Sequence, residues 1–463
     1  MEKRNKDQPG FLKGTLFGGL LGAGSLLAYQ YFSGILKQPR LISKEIISEE
    51  NQFESMESLA VYITSENLRS GIHKRLISDD VEKKILHAGY RNFRESWARD
   101  FGFAAYGLLA LEEYDTVKET LEAFFAHQKP VGQLPVKLHS ISTLTRYFYS
   151  LFGREQPTQL RLKPKYISAH GAPSLDGQAL LVITACNYAQ RTGDFEFLQK
   201  HWLELKSAIK WLQLHSQATH DPLLRQGPFA DWADSIRRKG NILYTNVVYW
   251  KALFSMAEAA SVLELKQDAA LYIKAVETLS RKIHETFWAP ELGYFVTSPR
   301  LAQLSSDGNL LAIAWGLAST SQAESILNVM DEAGMSKPVP TRVVHPPYPN
   351  YMVSTENMFG GLGNYHTTAS WLWLGAWHVV ALLNVNQMER AQQVIERITK
   401  VIVRDRQVNE VHGPDGEPLQ SIWYKSESPL IWNAGMILHA YKTLEQKMGE
   451  ESNIISLISE FAE

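Results

Sequence analysis

From residue 85 onward, apolar positions recur with a period near 3.6 rather than 2. The runs fall at 101–112 and 115–127, 175–191 and 195–214, 243–263 and 266–287, 307–318 and 320–333, 366–384 and 387–403, and 428–446 and 452–461. They predict twelve helices in six pairs. Breaks inside a pair are short and polar, such as Arg191-Thr192-Gly193-Asp194, where Asp194 is placed to cap the next helix. Breaks between pairs are longer and carry Pro, Gly, Trp and Asp. Short links make antiparallel neighbours, and long links are where functional residues are usually placed. The pattern predicts an all-α fold, an (α/α)6 barrel over residues 85–463, with the first helix of each pair in the inner ring. Short extended pieces such as Gly293–Thr297 predict hairpins on the loops. No strict repeat motif argues for a solenoid.

The N-terminal stretch reads differently. Gly14–Leu36 is 23 residues with no charge and six glycines. As a helix it would reach ~34 Å, enough to cross an apolar bilayer core. Lys3, Arg4, Lys6 and Lys13 precede it, and Lys37, Arg40 and Lys44 follow. No small-residue cleavage site follows the apolar run, so an uncleaved membrane anchor over residues 1–40 is preferred to a signal peptide. Without an anchor the chain would be cytoplasmic. Residues 41–84 read as a linker and a lead-in helix at Ser55–Asn67.

Length alone suggests about three domains at roughly 150 residues each. One toroid occupies residues 85–463, so no second core is needed. Lys+Arg is 47 and Asp+Glu is 49, a formal net charge of −2, so bulk charge argues against a nucleic-acid partner. The single cysteine, Cys186, excludes an intramolecular disulfide and thiolate metal clusters. No cofactor is implied, and the histidines show no metal-binding helix spacing. Aromatics make 11% of the chain, with 12 Trp. Most belong to a large core, and a sugar site also uses them, because pyranose C–H faces stack on rings.

The unusual residues collect in the long links. Trp97-Ala98-Arg99-Asp100 precedes the first inner helix and Ser174-Leu175-Asp176 opens the second. Asp231-Trp232-Ala233-Asp234 precedes the third and Ser306-Asp307-Gly308-Asn309 opens the fourth. Asn364-Tyr365-His366 opens the fifth and Trp423-Tyr424-Lys425-Ser426-Glu427 precedes the sixth. In a toroid these links surround one end of the ring. Singly, Asp176 and Asp307 read as helix caps, Asp100 beside Arg99 as a structural ion pair, and the tryptophans as core. Together they read as a site. Glycoside hydrolysis needs two carboxyl groups flanking one bond, one acid and one base.

Ala88-Gly89-Tyr90, Phe93 and Trp97-Ala98-Arg99-Asp100 resemble the opening of the amylo-α-1,6-glucosidase domain of glycogen-debranching enzymes. Gly132-Gln133-Leu134-Pro135, Trp232-Ala233-Asp234-Ser235, Phe287-Trp288, Asn364-Tyr365-His366 with Trp371, Asn409-Glu410 and Trp432-Asn433 follow in that domain's order. The resemblance spans residues 88–445. It reaches the superfamily that also holds glucoamylases, trehalases and neutral invertases, and it implies an (α/α)6 barrel with inverting chemistry. It implies Asp234 as general acid and Glu410 as general base. It places Trp97, Arg99 and Asp100 around the released sugar, with Tyr365 and His366 on another wall. The chain departs from the pattern at Ala98, where Gly is usual, and at Tyr244, where an acidic residue is usual.

The expectation is an inverting glycoside hydrolase acting on an α-linked glucoside or related oligosaccharide. Asp176, Trp232 and Trp423 join the substrate-binding candidates from their links. Trp232 is an apolar neighbour suited to raise the Asp234 pKa. An inverting pair stands about 6.5–9.5 Å apart, with a water between. Asp231 is the rival acid and Glu427 the rival base. The competing reading is a catalytically silent carbohydrate-binding protein on the same scaffold, kept open by Tyr244. Terpene cyclisation and lanthionine formation, also known on this fold, lack their Asp-rich and cysteine motifs here.

Overall fold

A computed structural model describes residues 25–41, 53–78, 81–168, 170–218 and 221–460. The chain divides into residues 1–43 with 141–158, and residues 44–140 with 159–463. In the first unit, helix α1 (25–36) meets α5 (Thr143–Leu151). Phe32 packs edge-on against Phe148 at 5.4 Å and Phe152 at 5.9 Å. The Leu41 N–H donates to the Gly153 carbonyl at 2.9 Å. The expected span over 14–36 falls only in part on described residues. Residues 14–24 lie outside the described residues, and no described helix is long and apolar enough to cross a membrane.

In the second unit six helices form a closed inner ring. They are α3 (Ala98–Ala110), α6 (Leu175–Thr192), α9 (Leu243–Val262), α11 (Ser306–Ala314), α14 (Leu372–Asn384) and α16 (Ile431–Glu460). Each packs on the next, and α16 packs back on α3. The outer helices are α4 (Tyr114–Phe125), α7 with α8 (Phe195–Lys200 and Trp202–Gln213), α10 (Lys266–Phe287), α12 (Thr320–Glu332) and α15 (Met388–Asp405). Inner and outer helices differ in composition for a physical reason. All of α14 from Leu372 to Leu383 is buried, so its apolar residues run around the whole helix. Helix α15 buries only Ala391, Val394, Ile395, Ile398, Val401 and Ile402 along one stripe, apart from Thr399.

The sixth outer helix is not the one expected. Residues 428–446 and 452–461 do not form a pair; α16 runs unbroken to Glu460. The expected break holds one glycine, Gly449, among good helix formers and no proline. A single internal glycine costs only ~1 kcal/mol, too little to end a helix. The place beside α16 and α15 is taken by α2 (Met56–Ser70), the lead-in helix of the sequence reading. Ser55 caps it in a reciprocal box with Ser58. Leu59, Ala60, Ile63 and Leu68 are buried, and the Asn67 Oδ1 accepts the Val408 N–H at 2.7 Å.

The ring closes where side chains are absent. A Cβ on Gly107 would stand 2.4 Å from the Gly435 carbonyl oxygen, and one on Gly435 would stand 2.6 Å from the Ala104 Cα. Two glycines facing each other let α3 and α16 approach backbone to backbone.

Short antiparallel pairs pin the starts of three inner helices. Ser96–Trp97 pairs with Lys137–His139 before α3, and Leu304–Ser305 with Val344–His345 before α11. Ser370–Trp371 pairs with Val411–His412 before α14. The last pair corrects the fifth expected helix, which begins at Leu372 rather than at 366. His366 therefore sits in a turn. Trp288–Ala289 pairs with Tyr294–Phe295, the loop hairpin expected near Gly293–Thr297.

Candidate active site

The links before four inner helices meet around one cavity of about 100 Å³. Trp97, Arg99 and Asp100 line it from the start of α3, and Trp232 and Asp234 from the link before α9. Tyr365, His366 and Trp371 come from the link before α14, and Glu410, Leu430 and Trp432 from around the start of α16. Phe93 completes the lining. The rings make a box: Trp232 meets Trp371 at 5.5 Å and Trp373 at 4.9 Å, both edge-on, while His366 stacks on Trp371 at 5.2 Å.

The other two links act from behind. Asp176 is not at the cavity. Its Oδ2 accepts from Arg99 Nη1 at 3.3 Å and from the Tyr244 hydroxyl at 3.3 Å, and its Oδ1 from Ser174 Oγ and the Gly177 N–H. It is not the cap of α6; Ser174 is. Asp176 therefore holds Arg99 rather than substrate, and Tyr244 stands behind that pair. Asp307 is not a cap either. Its Oδ2 accepts from the Trp232 indole N–H and from Arg238 Nη1 at 2.8 Å. It fixes the Trp232 ring. Arg238, fully buried between Asp231 and Asp307, was not among the sequence candidates. Only its companionship with two distant carboxylates marks it.

The four candidate carboxyls divide cleanly. Asp234 lines the cavity, and its carboxyl accepts no hydrogen bond among the described residues. Burial raises its pKa to about 6, against the opposing pull of Arg99. Asp231 points away. Arg238 Nη2 stands 2.8 Å from its Oδ1, Gln226 Nε2 donates to Oδ2 at 2.8 Å, and the Ala233 N–H donates to Oδ1 at 2.9 Å. Glu410 lines the cavity with both oxygens held. The Tyr365 hydroxyl donates to Oε1 and the Tyr424 hydroxyl to Oε2, joined at Oε2 by the Glu427 N–H at 2.9 Å. Burial raises its pKa to about 7, although these three donors favour the ionised form. Glu427 is occupied elsewhere: its carboxylate accepts the backbone N–H groups of Tyr90, Arg91 and Asn92.

Asp100 is a further raised carboxyl at the cavity. Burial lifts it to about 7, against the pull of Arg99. Burial works against the Arg99 charge, but Asp176, Asp100 and Asp234 outweigh it and hold the guanidinium charged. Arg99 also lies 5.9 Å from the Trp432 ring. Burial, with Arg238 and Arg99, keeps His366 neutral, well below the usual histidine range. The Ser235 N–H faces its Nδ1 at 3.4 Å and can only donate, which leaves the proton on Nε2. That Nε2, with the indole nitrogens of Trp97 and Trp432 and the Arg99 Nε, has no partner among the described residues. All four belong to residues that line the cavity.

Trp423, a substrate-binding candidate from the sequence, stands apart from the cavity. It is 67% exposed and does not line the cavity, whereas its neighbour Tyr424 reaches Glu410. The two sit in a tight turn, where successive side chains face opposite ways.

Residues 141–337 match the model of the bacterial α-L-rhamnosidase six-hairpin glycosidase domain. Among solved structures the chain is similar to a rhamnosidase from Klebsiella oxytoca with rhamnose bound. The TM-score is 0.59 at 14% identity, over 86% of this chain and 65% of that one. The chain thus spans less than two thirds of that enzyme. It is also similar to a GH63 mannosylglycerate hydrolase from Thermus thermophilus in complex with Tris and D-glycerate. There the TM-score is 0.58 at 13% identity, over 83% and 99% of the two chains. A structure described as a wild-type glycosidase gives a TM-score of 0.60 at 13% identity, over 86% and 99%. No curated protein matches the sequence. The fold is the (α/α)6 barrel that these solved structures share. They do not single out the debranching enzymes.

Proposed function

We propose that the protein is an inverting glycosidase that cleaves an α-linked glucoside or related oligosaccharide, with Asp234 as general acid and Glu410 as general base. One observation carries the reading: two carboxyls from links far apart in sequence face one aromatic-walled cavity, one unpaired and one held by three donors. The acid needs freedom to approach the leaving oxygen, which suits the donor-free Asp234, whose pKa burial raises to about 6. The base must be fixed in direction, which suits Glu410 with three donors on its carboxylate, and it acts in its ionised form. Water then adds to the anomeric carbon from the Glu410 side while the Asp234 proton goes to the departing oxygen. Trp97, Arg99, Asp100 and His366 supply the hydrogen bonds that seat the ring.

The test is a panel of α-glucosides, α-mannosides and α-L-rhamnosides, with the product anomer followed by NMR. Asp234→Asn and Glu410→Gln each lower kcat/KM by several orders of magnitude on an alkyl glycoside. On an activated aryl glycoside Asp234→Asn recovers in part and Glu410→Gln does not, because a good leaving group needs little protonation. Retention of anomeric configuration, or full activity in Asp234→Asn alongside loss in Asp100→Asn or Asp231→Asn, refutes the assignment.

A further inference from the structure

The three most exposed large apolar side chains among the described residues are Ile422 at 92%, Phe359 at 86% and Tyr351 at 81%. All three lie on segments that hold the cavity together. Ile422 and Trp423 occupy the tip of a turn closed by the Ser421 N–H on the Tyr424 carbonyl at 2.7 Å, with Gln420 and Lys425 bridged beneath it. Turn tips ordinarily carry Gly, Asn, Asp or Ser. The residue that ends this turn, Tyr424, holds Glu410. Phe359 closes the short helix α13 (Thr355–Phe359), and a Cβ on nearby Gly361 would stand 3.2 Å from the Ser421 Cβ, so the two loops touch. Tyr351 sits on a single turn whose neighbours bind the strand of chain after Asp234. The Met352 carbonyl accepts the Arg237 N–H and the Ser235 carbonyl accepts the Ser354 N–H, both at 2.7 Å. The apolar groups therefore crown the loops that carry both catalytic candidates.

We propose that this rim is a platform for an apolar leaving group, so that the substrate is a glycoside of a hydrocarbon or aryl alcohol. The inference rests on the glycosidase reading and specifies its substrate. The cavity, about 100 Å³ and walled by Trp97, Trp232, Tyr365, Trp371 and Trp432, suits one sugar ring. The bond to be cut then lies at the mouth, and whatever leaves must run over the rim. Ile422, the most exposed of them, offers neither a hydrogen-bonding group nor a flat ring on which a second sugar would stack, which suits hydrocarbon. In the reaction, water oxygen bonds to the anomeric carbon and the carbon–oxygen bond to the aglycone breaks. The departing oxygen takes the Asp234 proton and leaves as a free alcohol or phenol, and a water proton passes to Glu410.

The full chain is titrated with methyl and octyl 1-thio-α-glycosides of glucose, mannose and rhamnose, below their micelle concentrations. Trp423 emission reports binding, with Trp423→Phe as the control for the reporter. The octyl compound should bind at least about tenfold more tightly than the methyl one and shift the emission to the blue, given the gain from each buried methylene. Ile422→Ser combined with Phe359→Ser, both at exposed positions, should remove the octyl advantage and leave methyl binding unchanged. Equal affinity for methyl and octyl compounds overturns the proposal. So does an octyl advantage that survives the double substitution, an equal gain from a disaccharide, or a rim that binds phosphatidylcholine vesicles while ignoring monomeric octyl glycosides. If the octyl advantage is present and rim-dependent but no glycoside is hydrolysed, the platform stands and the catalytic reading falls.

Discussion

Replacing Tyr424 by Phe removes one of the three donors on Glu410 and nothing else from the carboxylate's surroundings. Oε1 keeps the Tyr365 hydroxyl and Oε2 keeps the Glu427 N–H at 2.9 Å. Donors favour the ionised form, so losing one raises the Glu410 pKa above its value of about 7. A hydrogen bond to a charged group is worth ~1.5–3 kcal/mol, and 1.36 kcal/mol corresponds to one pH unit. The acidic limb of kcat/KM should therefore move up by about one to two pH units. At pH 7 the ionised fraction would drop from near half to a few per cent, a loss of about tenfold in kcat/KM. The assay is a pH profile from 4.5 to 9 on an activated aryl glycoside, whose leaving group needs little protonation, so that the acidic limb follows Glu410 rather than the lower-lying Asp234. Tyr365→Phe should shift the same limb in the same direction. A uniform fall in rate with no movement of the acidic limb would refute the argument and make Tyr424 a substrate contact.

The remaining expectations use other parts of the molecule. Asp234 at about 6, with Asp100 and Glu410 at about 7, all lie above ordinary carboxylate values, so the folded state binds protons more tightly than the unfolded chain. Their contribution to stability is present at low pH and is lost as pH rises from about 4 through about 7, so the Tm should fall across that window. Asp100→Asn should flatten the slope, and an unchanged slope counts against it. Gly435→Ala places a methyl 2.6 Å from the Ala104 Cα and should cost ~1–3 kcal/mol in urea unfolding, whereas Gly449→Ala, where a Cβ meets nothing, should be neutral or stabilising. Ile63→Ala in α2 should cost ~2–5 kcal/mol if that helix closes the ring, and a loss below 1 kcal/mol would contradict its place there.

Much of the architecture was legible because local pattern and burial are linked. The 3.6-residue period located the starts of five of the six inner helices to within three residues, and the contrast between short and long links told partners from neighbours in the first five pairs. The collection of Trp and Asp in the long links located the rim. The resemblance in motif order supplied Asp234 and Glu410, and both line the cavity. Local pattern does not say which way neighbouring side chains point. Asp231 and Asp234 lie in a segment of bends and turns, where three residues of spacing put one carboxylate on Arg238 and the other in the cavity. Trp423 and Tyr424 differ by one position and face opposite ways.

By itself, the sequence determined that the chain is helical, that it pairs its helices, and that its chemistry gathers at the links, because period and turn chemistry are local properties. Tertiary structure decided how the ring closes and what each carboxylate does. Glu427 spends its charge on the amides of Tyr90, Arg91 and Asn92, more than 330 residues away in the chain. Helix α2, from before the predicted barrel, fills the place beside α16 because α16 has nothing strong enough to break it. Those outcomes depend on which distant groups arrive together in a closed ring, and no local pattern encodes that meeting.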